Sequence, residues 1–428
     1  MRLCDNCNYH MSMKRPYNQL CSYRTITTHS GMEPCDPWSS EDTLDQRDLA
    51  RAKARAALAL GRLDGRLASL AALEGRLFCA DLVRRTLLGA LTQAGYLDAP
   101  QCFDAWFVGL ARGPERVAEA PSSALAIVRA LLTEMARHPW EPLARTAQTL
   151  QRCARFVADA IAPSPEEQTR ETDATTGALD RARVLVEVLP ADADGPLPFA
   201  ALAALCTAAA HDPAFAPMEA GIRTYDTGET LVALAGLRPI TPLWALDVAA
   251  GILLAQRTSL ARALPMPGLF TTERLLLAHA PDRQALALAH ALEVATTAHL
   301  AALDTARTRA ALLTQRLAGL RRSSRAGEAW ILLAGFAPLG LDQLMDAIGV
   351  SRRGTYAVSA ALTEAGLAER QSRQGKVLLV AIERARANEI PGPVFTGALG
   401  TAVDEFDEAM ADLDRLLART GSQEVTGT

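Results

Sequence analysis

Apolar residues recur every three or four positions through most of this 428-residue chain, and period-two alternation is confined to Leu367–Val380. A 3.6-residue period gathers apolar side chains on one face of a helix, whereas a half-buried strand needs alternation. The fold class expected is therefore all-α, with one small hairpin near the C-terminus. The first stripe is Leu58, Leu60, Leu63, Leu67, Leu70 and Leu73. Further helices are predicted over Phe78–Ala94, Gln101–Ala111, Ser122–Arg137 and Pro142–Ala162, with breaks at Pro100, Gly113-Pro114 and Pro139 to Pro142.

Residues Pro163 to Gly177 are polar and without period, which reads as a surface linker. The divisions expected are an extension over 1–40, an N-terminal helical domain over 41–162, a linker over 163–178 and a central helical domain over 179–322. A winged helix-turn-helix over 323–386 and an acidic C-terminal helix and tail over 387–428 complete the chain. The central domain holds a short apolar run Val184–Leu189, a helix over Pro198–Ala210, loop-like residues His211–Glu229 and a short strand or helix over Thr230–Leu237. Pro242–Arg262 is apolar on nearly every face, as a buried helix is. Pro281–Arg322 has no Gly until Gly319 and no Pro after its first residue, enough for about 60 Å of helix. Its leucines keep no strict heptad, so packing within the domain is expected rather than a coiled coil. Such a helix is also long enough to join two subunits as a homodimer.

Hydrophobic residues make up 49% of the chain and charged residues 21%, which excludes a disordered or fibrous class. The apolar stretches Phe199–Ala210 and Trp244–Ala255 are about a dozen residues long, short of the ~20 that a bilayer-spanning helix needs. No membrane partner is expected. The first residues lack the apolar core of a signal peptide, so the location expected is cytoplasmic. Eight cysteines occur. Cys79, Cys102, Cys153 and Cys206 fall within helical patterns and read as small core residues. Cys4, Cys7, Cys21 and Cys35 could hold a tetrahedral metal only if the two single thiols converge on the Cys4-x-x-Cys7 pair. The preferred reading is an unfolded extension, or upstream sequence ahead of a start at Met32, with no metal and no cofactor.

The segment Glu328–Val380 carries a mechanism. Glu328–Gly335 reads as one short helix, Pro338-Leu-Gly340 as a stop and restart, and Leu341–Ile348 as a second helix. Gly349 can supply the left-handed residue that ends it, and Ser351 can cap a third helix from Arg352 to Ala365 that buries Thr355, Val358 or Ser359, and Leu362. Two helices joined by such a turn make a helix-turn-helix, whose second member enters the major groove and reads base edges from its N-terminal end. Long donors are needed there, and Arg352, Arg353, Thr355 and Tyr356 sit on that first turn with Ser351 before it. A guanidinium can grip guanine or a phosphate through two parallel hydrogen bonds. The strands Leu367–Gln371 and Lys376–Val380 add a wing bearing Arg370, Arg373 and Lys376. The partner expected is double-stranded DNA.

Charge is distributed to match. The whole chain is at −4, yet Arg307–Arg384 holds 12 Lys+Arg and 6 Asp+Glu, a surplus of +6 that leaves −10 elsewhere. Neutralising phosphates requires local cationic charge, whatever the total. Of the 44 cationic residues 41 are Arg, a bias that reads as codon usage, so only the placement of these residues carries weight.

Several stretches together resemble an uncharacterised plasmid-borne family of plant-associated, rhizobial bacteria with a helical region and a terminal helix-turn-helix. They are Gly61-Arg-Leu-Asp-Gly-Arg-Leu67, Phe78-Cys-Ala-Asp-Leu82 through Gly95-Tyr-Leu97, Ala249-Ala-Gly-Ile-Leu-Leu254 with Leu264-Pro265, and Ile348-Gly-Val-Ser351. The resemblance implies DNA binding through the terminal motif. The layout is also distantly similar to Fic-type proteins, in which a His-x-Phe-x-x-Gly-Asn-Gly-Arg loop supplies a base and a phosphate cradle. That loop is absent from the sequence, and His211-Asp-Pro213, the nearest neighbourhood, lacks the glycines. Such an ancestry implies a degenerate nucleotidyltransferase.

Other chemistries find little footing. The sequence has no His-Glu-x-x-His, no Gly-x-Ser-x-Gly and no P-loop. His138, His211, His279, His290 and His299 read as structural or surface residues, so no catalytic residue is expected. The acidic stretch Asp404 to Asp414 reads as a solvated face or as a partner-binding helix. The function expected is a DNA-binding transcriptional regulator, whose helical region dimerises or senses an unspecified small-molecule effector. The alternatives are a Fic-like enzyme or pseudoenzyme and a helical protein-interaction module.

Overall fold

The computed structural model describes residues 46–115, 122–157, 164–190, 197–218, 222–226, 231–235, 239–257, 259–319 and 324–382. The extension over 1–40, its four cysteines and the acidic C-terminal tail lie outside the described residues. Thirteen α-helices and five short strands occur among the described residues.

Two parallel helices form the spine. α1 (Gln46–Ala68) buries Leu49, Ala52, Ala56, Leu60, Leu63 and Leu67, one side chain per turn. Its partner is the longest helix, which comes tenth in the chain and is numbered α10 (Pro281–Arg316). Gln46 donates to Asp282 at 3.3 Å, Arg55 pairs with Glu293 at 3.1 Å and Arg66 with Asp304. These ties advance together along both helices, which fixes the relative direction. α10 is long and apolar enough, by length and composition, to cross a bilayer, but half of that apolar window is buried inside the molecule. Its inward stripe is covered by the chain's own helices, as packing within the domain requires.

α2 (Ala72–Gln93), α3 (Ala99–Phe107), α4 (Ala124–Ala136) and α5 (Glu141–Cys153) pack beside this spine. The chain leaves the helix at Cys153, nine residues before the predicted end. Phe156 then packs on Trp106 at 4.4 Å between ring centroids, a contact that a continued helix would not make.

The segment expected as a linker is a helix, α6 (Pro165–Glu187). Ser164 accepts a hydrogen bond from Glu167 N and the Glu167 carboxylate accepts one from Ser164 N, a reciprocal cap with Pro165 in the first turn. Only its second half is buried, through Thr175, Ala178, Leu179, Ala182, Leu185 and Val186. α7 (Phe199–His211) follows, then an antiparallel pair β1 (Ile222–Asp226) and β2 (Leu231–Ala235). The first of these strands lies where a loop was expected. α8 (Trp244–Gln256) is buried on nearly every face, as its composition predicts, but it ends six residues before the expected Arg262.

α9 (Thr272–Leu276) precedes α10, and α11 (Ala326–Phe336) follows it. β3 (Leu339–Gly340), α12 (Leu341–Ile348), α13 (Arg352–Glu364), β4 (Ala368–Arg373) and β5 (Lys376–Ala381) complete the described chain. The three strands form an antiparallel sheet in the order β3-β5-β4. This C-terminal part has no core of its own. Phe336 packs on Phe107 at 5.3 Å and on Phe103 at 6.5 Å, and one apolar core runs from Ala56 to Ala381.

Of the internal cysteines, Cys79, Cys153 and Cys206 are buried and Cys102 is half-buried. Burial pushes the thiols of Cys153 and Cys206 up to about 12, which keeps them protonated and unreactive as core residues.

Candidate functional site

The site is built on α12, α13 and the β4–β5 hairpin, and it is held from beneath. α11 is inserted in the core, with Trp330 at 1% exposure. Gln343 of α12 is buried and accepts from Gly340 N at 2.9 Å, while its Nε2 donates to the carbonyls of Phe107 at 3.0 Å and Cys153 at 3.1 Å. One amide thereby joins the start of α12 to the ends of α3 and α5. Arg155 adds ion pairs to Asp342 at 3.8 Å and to Asp346. These pairs neutralise the acidic groups of α12.

The turn between α12 and α13 is shaped by Gly349 at φ 65°, ψ 41°. A side chain in that left-handed conformation would crowd the following carbonyl. Ser351 then caps α13, its Oγ accepting from Gly354 N at 3.2 Å. The inward face of α13 carries Thr355, Val358, Ser359 and Leu362. Its outward face begins with Arg352 and Arg353, both exposed, and continues with Tyr356 at 45% exposure. Neither arginine has a hydrogen bond or an ion pair to a described residue.

The eight residues singled out from the sequence thus fall into different environments. Arg352, Arg353 and Tyr356 share one open face. Thr355 does not join them. It is 1% exposed and its Oγ1 donates to Ser351 O at 3.2 Å, so it serves the helix rather than a ligand. Ser351 is engaged as the cap. Arg370 reaches back over α13, its Nε donating to the buried Ser359 Oγ at 2.8 Å. In the hairpin, Arg373 is opposite Lys376 and the two-residue turn is Gln374-Gly375, both with positive φ, a turn whose twist suits adjacent strands. Arg373 is exposed and donates to Gln371 at 3.0 Å. Lys376 donates to Gly109 O at 3.2 Å, which ties the hairpin tip to the loop after α3.

A second polar cluster surrounds Ala261–Phe270, an irregular segment that enters the core. Asp247 of α8 accepts from Gly268 N at 2.6 Å, Phe270 N at 2.8 Å and Gln93 Nε2 at 2.7 Å. Burial raises its carboxyl to about 7, against the lowering effect of these donors and of Arg274. His299 of α10 donates through Nε2 to Pro265 O at 3.0 Å and accepts from Arg85 at Nδ1 at 3.2 Å. Burial and the neighbouring Arg85 charge bring it down to about 3. His138 donates to Ala263 O at 2.6 Å, and burial lowers it as well. Gly251 lets the segment approach α8, because a Cβ there would lie 2.0 Å from Leu264 O. Perturbed groups mark functional sites when they face a ligand. Here their partners are backbone atoms of the segment together with the side chains of Gln93 and Arg85, and the cluster is structural. His211 is exposed at the end of α7 with Nδ1 on Thr207 O at 2.8 Å.

Sequence reasoning missed Gln343, Arg155 and Asp247. The signal for the first was Gln at the third helical position after Gly340, where a side chain can bond back to the chain entry. No group of three or more His, Cys, Asp or Glu residues that could hold a metal occurs among the described residues. No family model matches the chain, and no curated protein is significantly similar to it.

Proposed function

We propose that this is a DNA-binding protein, a transcriptional regulator whose C-terminal residues 326–382 form a winged helix-turn-helix with α13 as the recognition helix. The reading is carried by one observation. Two adjacent guanidinium groups with no partner among the described residues open a helix whose opposite face is fixed in the core. The element order supports it. A helix, a short strand, two helices joined by a left-handed Gly349 turn and a two-stranded hairpin follow in sequence, with β5 between β3 and β4. Arg352 and Arg353 would contact bases or phosphates in the major groove, Tyr356 would pack beside them, and Arg373 at the hairpin tip would meet a flanking phosphate. Arg370 and Lys376 hold the wing against α13 and the loop after α3, so their contribution is to its position.

Binding of the full chain to genomic DNA fragments, measured by fluorescence anisotropy across a salt series, tests the reading. Affinity should fall linearly on a logarithmic salt scale, with a slope near −0.9 for each phosphate neutralised. Footprinting on the retained fragments should then show protection of a defined sequence. Absence of salt-sensitive binding overturns the proposal.

A further inference from the structure

A cavity of about 210 Å³ lies beside this motif, between α2, α5, α11 and the last turn of α12. Four guanidinium groups line it, from Arg76, Arg145, Arg152 and Arg325, against the single carboxylate of Glu328. That carboxylate is already paired with Arg325 at 2.8 Å. Arg145 pairs with Glu141 at 3.6 Å on the exposed side, and Arg152 donates to Thr149 at 3.3 Å. Arg76 is half-buried and has no hydrogen bond or ion pair to a described residue. Withdrawing a cation from water without a counter-ion is costly. Four like charges converging on one cavity add repulsion. Both costs are removed by an anion. The preference for Arg over Lys carries no weight in this Arg-rich chain, but the convergence of charges from three separate segments does.

We infer that this cavity binds a small oxyanion, a phosphate- or carboxylate-bearing metabolite held by Arg76, Arg145, Arg152 and Arg325. Its size falls below the ~300–1,000 Å³ of drug-sized pockets, which limits the ligand to a compact molecule. Guanidinium forks grip the oxyanion through paired hydrogen bonds, and Pro142, Ile331 and Leu332 offer apolar wall to a short carbon skeleton. Arg76 is the anchor because it is half-buried and, unlike the other three, has no hydrogen-bond or ion-pair partner among the described residues. Burial, together with the nearby Arg145 charge, lowers its pKa despite Glu328 and Glu141. The wall opposite is Ala347, Ile348 and Gly349, immediately before the Ser351 cap of α13. Occupancy therefore bears on the turn that aims Arg352 and Arg353. That regulatory consequence rests on the DNA-binding reading, whereas the site itself does not.

Calorimetric titration of the full chain with sodium pyrophosphate and with citrate, against sodium chloride at matched ionic strength, tests the site in the absence of DNA. At least one of the two anions should bind saturably with one-to-one stoichiometry, and hydrogen exchange should slow over residues 347–355. Arg76→Gln should weaken binding tenfold or more. Arg152→Gln, at an exposed position, should weaken it several-fold with an unchanged circular dichroism spectrum, which keeps the test valid if Arg76→Gln does not fold. Heats no larger than those of chloride, or binding unaltered in both variants, overturn the proposal. A loss of DNA affinity by Arg76→Gln in anion-free buffer would instead place a DNA phosphate in the cavity and overturn the small-molecule assignment.

Discussion

The segment Ala261–Phe270 and the outer face of α13 are both rich in polar groups, and they use them in opposite ways. Around the segment, Asp247, His299, His138 and Gln93 turn inward and bond to backbone atoms that no helix or sheet satisfies, with Gln93 also donating to Asp247. On α13, Thr355 and Ser359 face in and are bonded, while Arg352 and Arg353 face out without a partner among the described residues. A perturbed pKa is accordingly a poor guide to function in this molecule. The raised Asp247 carboxyl and the lowered His299 imidazole sit where an irregular segment enters the core, whereas Arg352 and Arg353, the groups proposed to meet DNA, are exposed. What marks the latter is a cation left unpaired on a rigid support.

This contrast can be broken by substitution. Asp247→Ala should have the largest effect, because it leaves the Gly268 and Phe270 N–H groups without their acceptor and removes one of the two bonds of the Gln93 amide, with a loss on the order of 3 kcal/mol in urea unfolding. Gln343→Ala should follow at about 2 kcal/mol, since it releases the tie between α12 and the ends of α3 and α5. This variant should also weaken DNA binding, because α13 loses its platform. Gly349→Ala forces a side chain into φ 65° and should cost about 1 kcal/mol.

Acidity offers a subtler probe of the inner cluster. Asp247 is raised from its ordinary 3.8 to about 7, so the folded state keeps a proton that the unfolded chain releases. Its contribution is fully present below pH 3.8 and is lost as pH rises towards 7. His299 is lowered from 6.5 to about 3, so its contribution is present above pH 6.5 and is lost as pH falls towards 3. The two slopes oppose each other between about pH 4 and 6.5. Replacing Asp247 with Asn should leave the His299 slope exposed, and the variant's unfolding free energy should fall more steeply on acidification than that of the parent. Parallel profiles would show that Asp247 titrates normally.

Much of the helical frame was legible because apolar stripes at three and four survive in any context. α4, α7, α8 and α10 follow from them, and α1 in part: Leu60, Leu63 and Leu67 are buried, but Leu58 is 64% exposed, the chain breaks before Leu70 and Leu73 belongs to α2. The Gly349–Ser351 turn was legible from its glycine and its capping serine. α6 escaped because its first half is almost wholly polar. Its capping pair Ser164 and Glu167, with Pro165 between, was the readable sign. The support beneath α12 was illegible for a different reason. Gln343 bonds to carbonyls 236 and 190 residues away, and no local pattern reports the position of a distant backbone. Thr355 was legible as a core position from its helical spacing with Val358 and Leu362, and its burial rules out the second role read from its place beside Arg353, that of a donor to DNA.

The smallest effect on stability is expected at the two arginines proposed to meet DNA. Arg352→Ala with Arg353→Ala removes exposed groups, so unfolding should change by less than about 0.5 kcal/mol. Each lost contact to base or phosphate should nevertheless cost about 1–3 kcal/mol in DNA binding. Measuring unfolding free energy and DNA affinity on this one double variant tests the central claim most directly. Unchanged stability with affinity reduced at least tenfold is the predicted result. Unchanged affinity, or a loss of affinity that merely tracks a loss of stability, would contradict it.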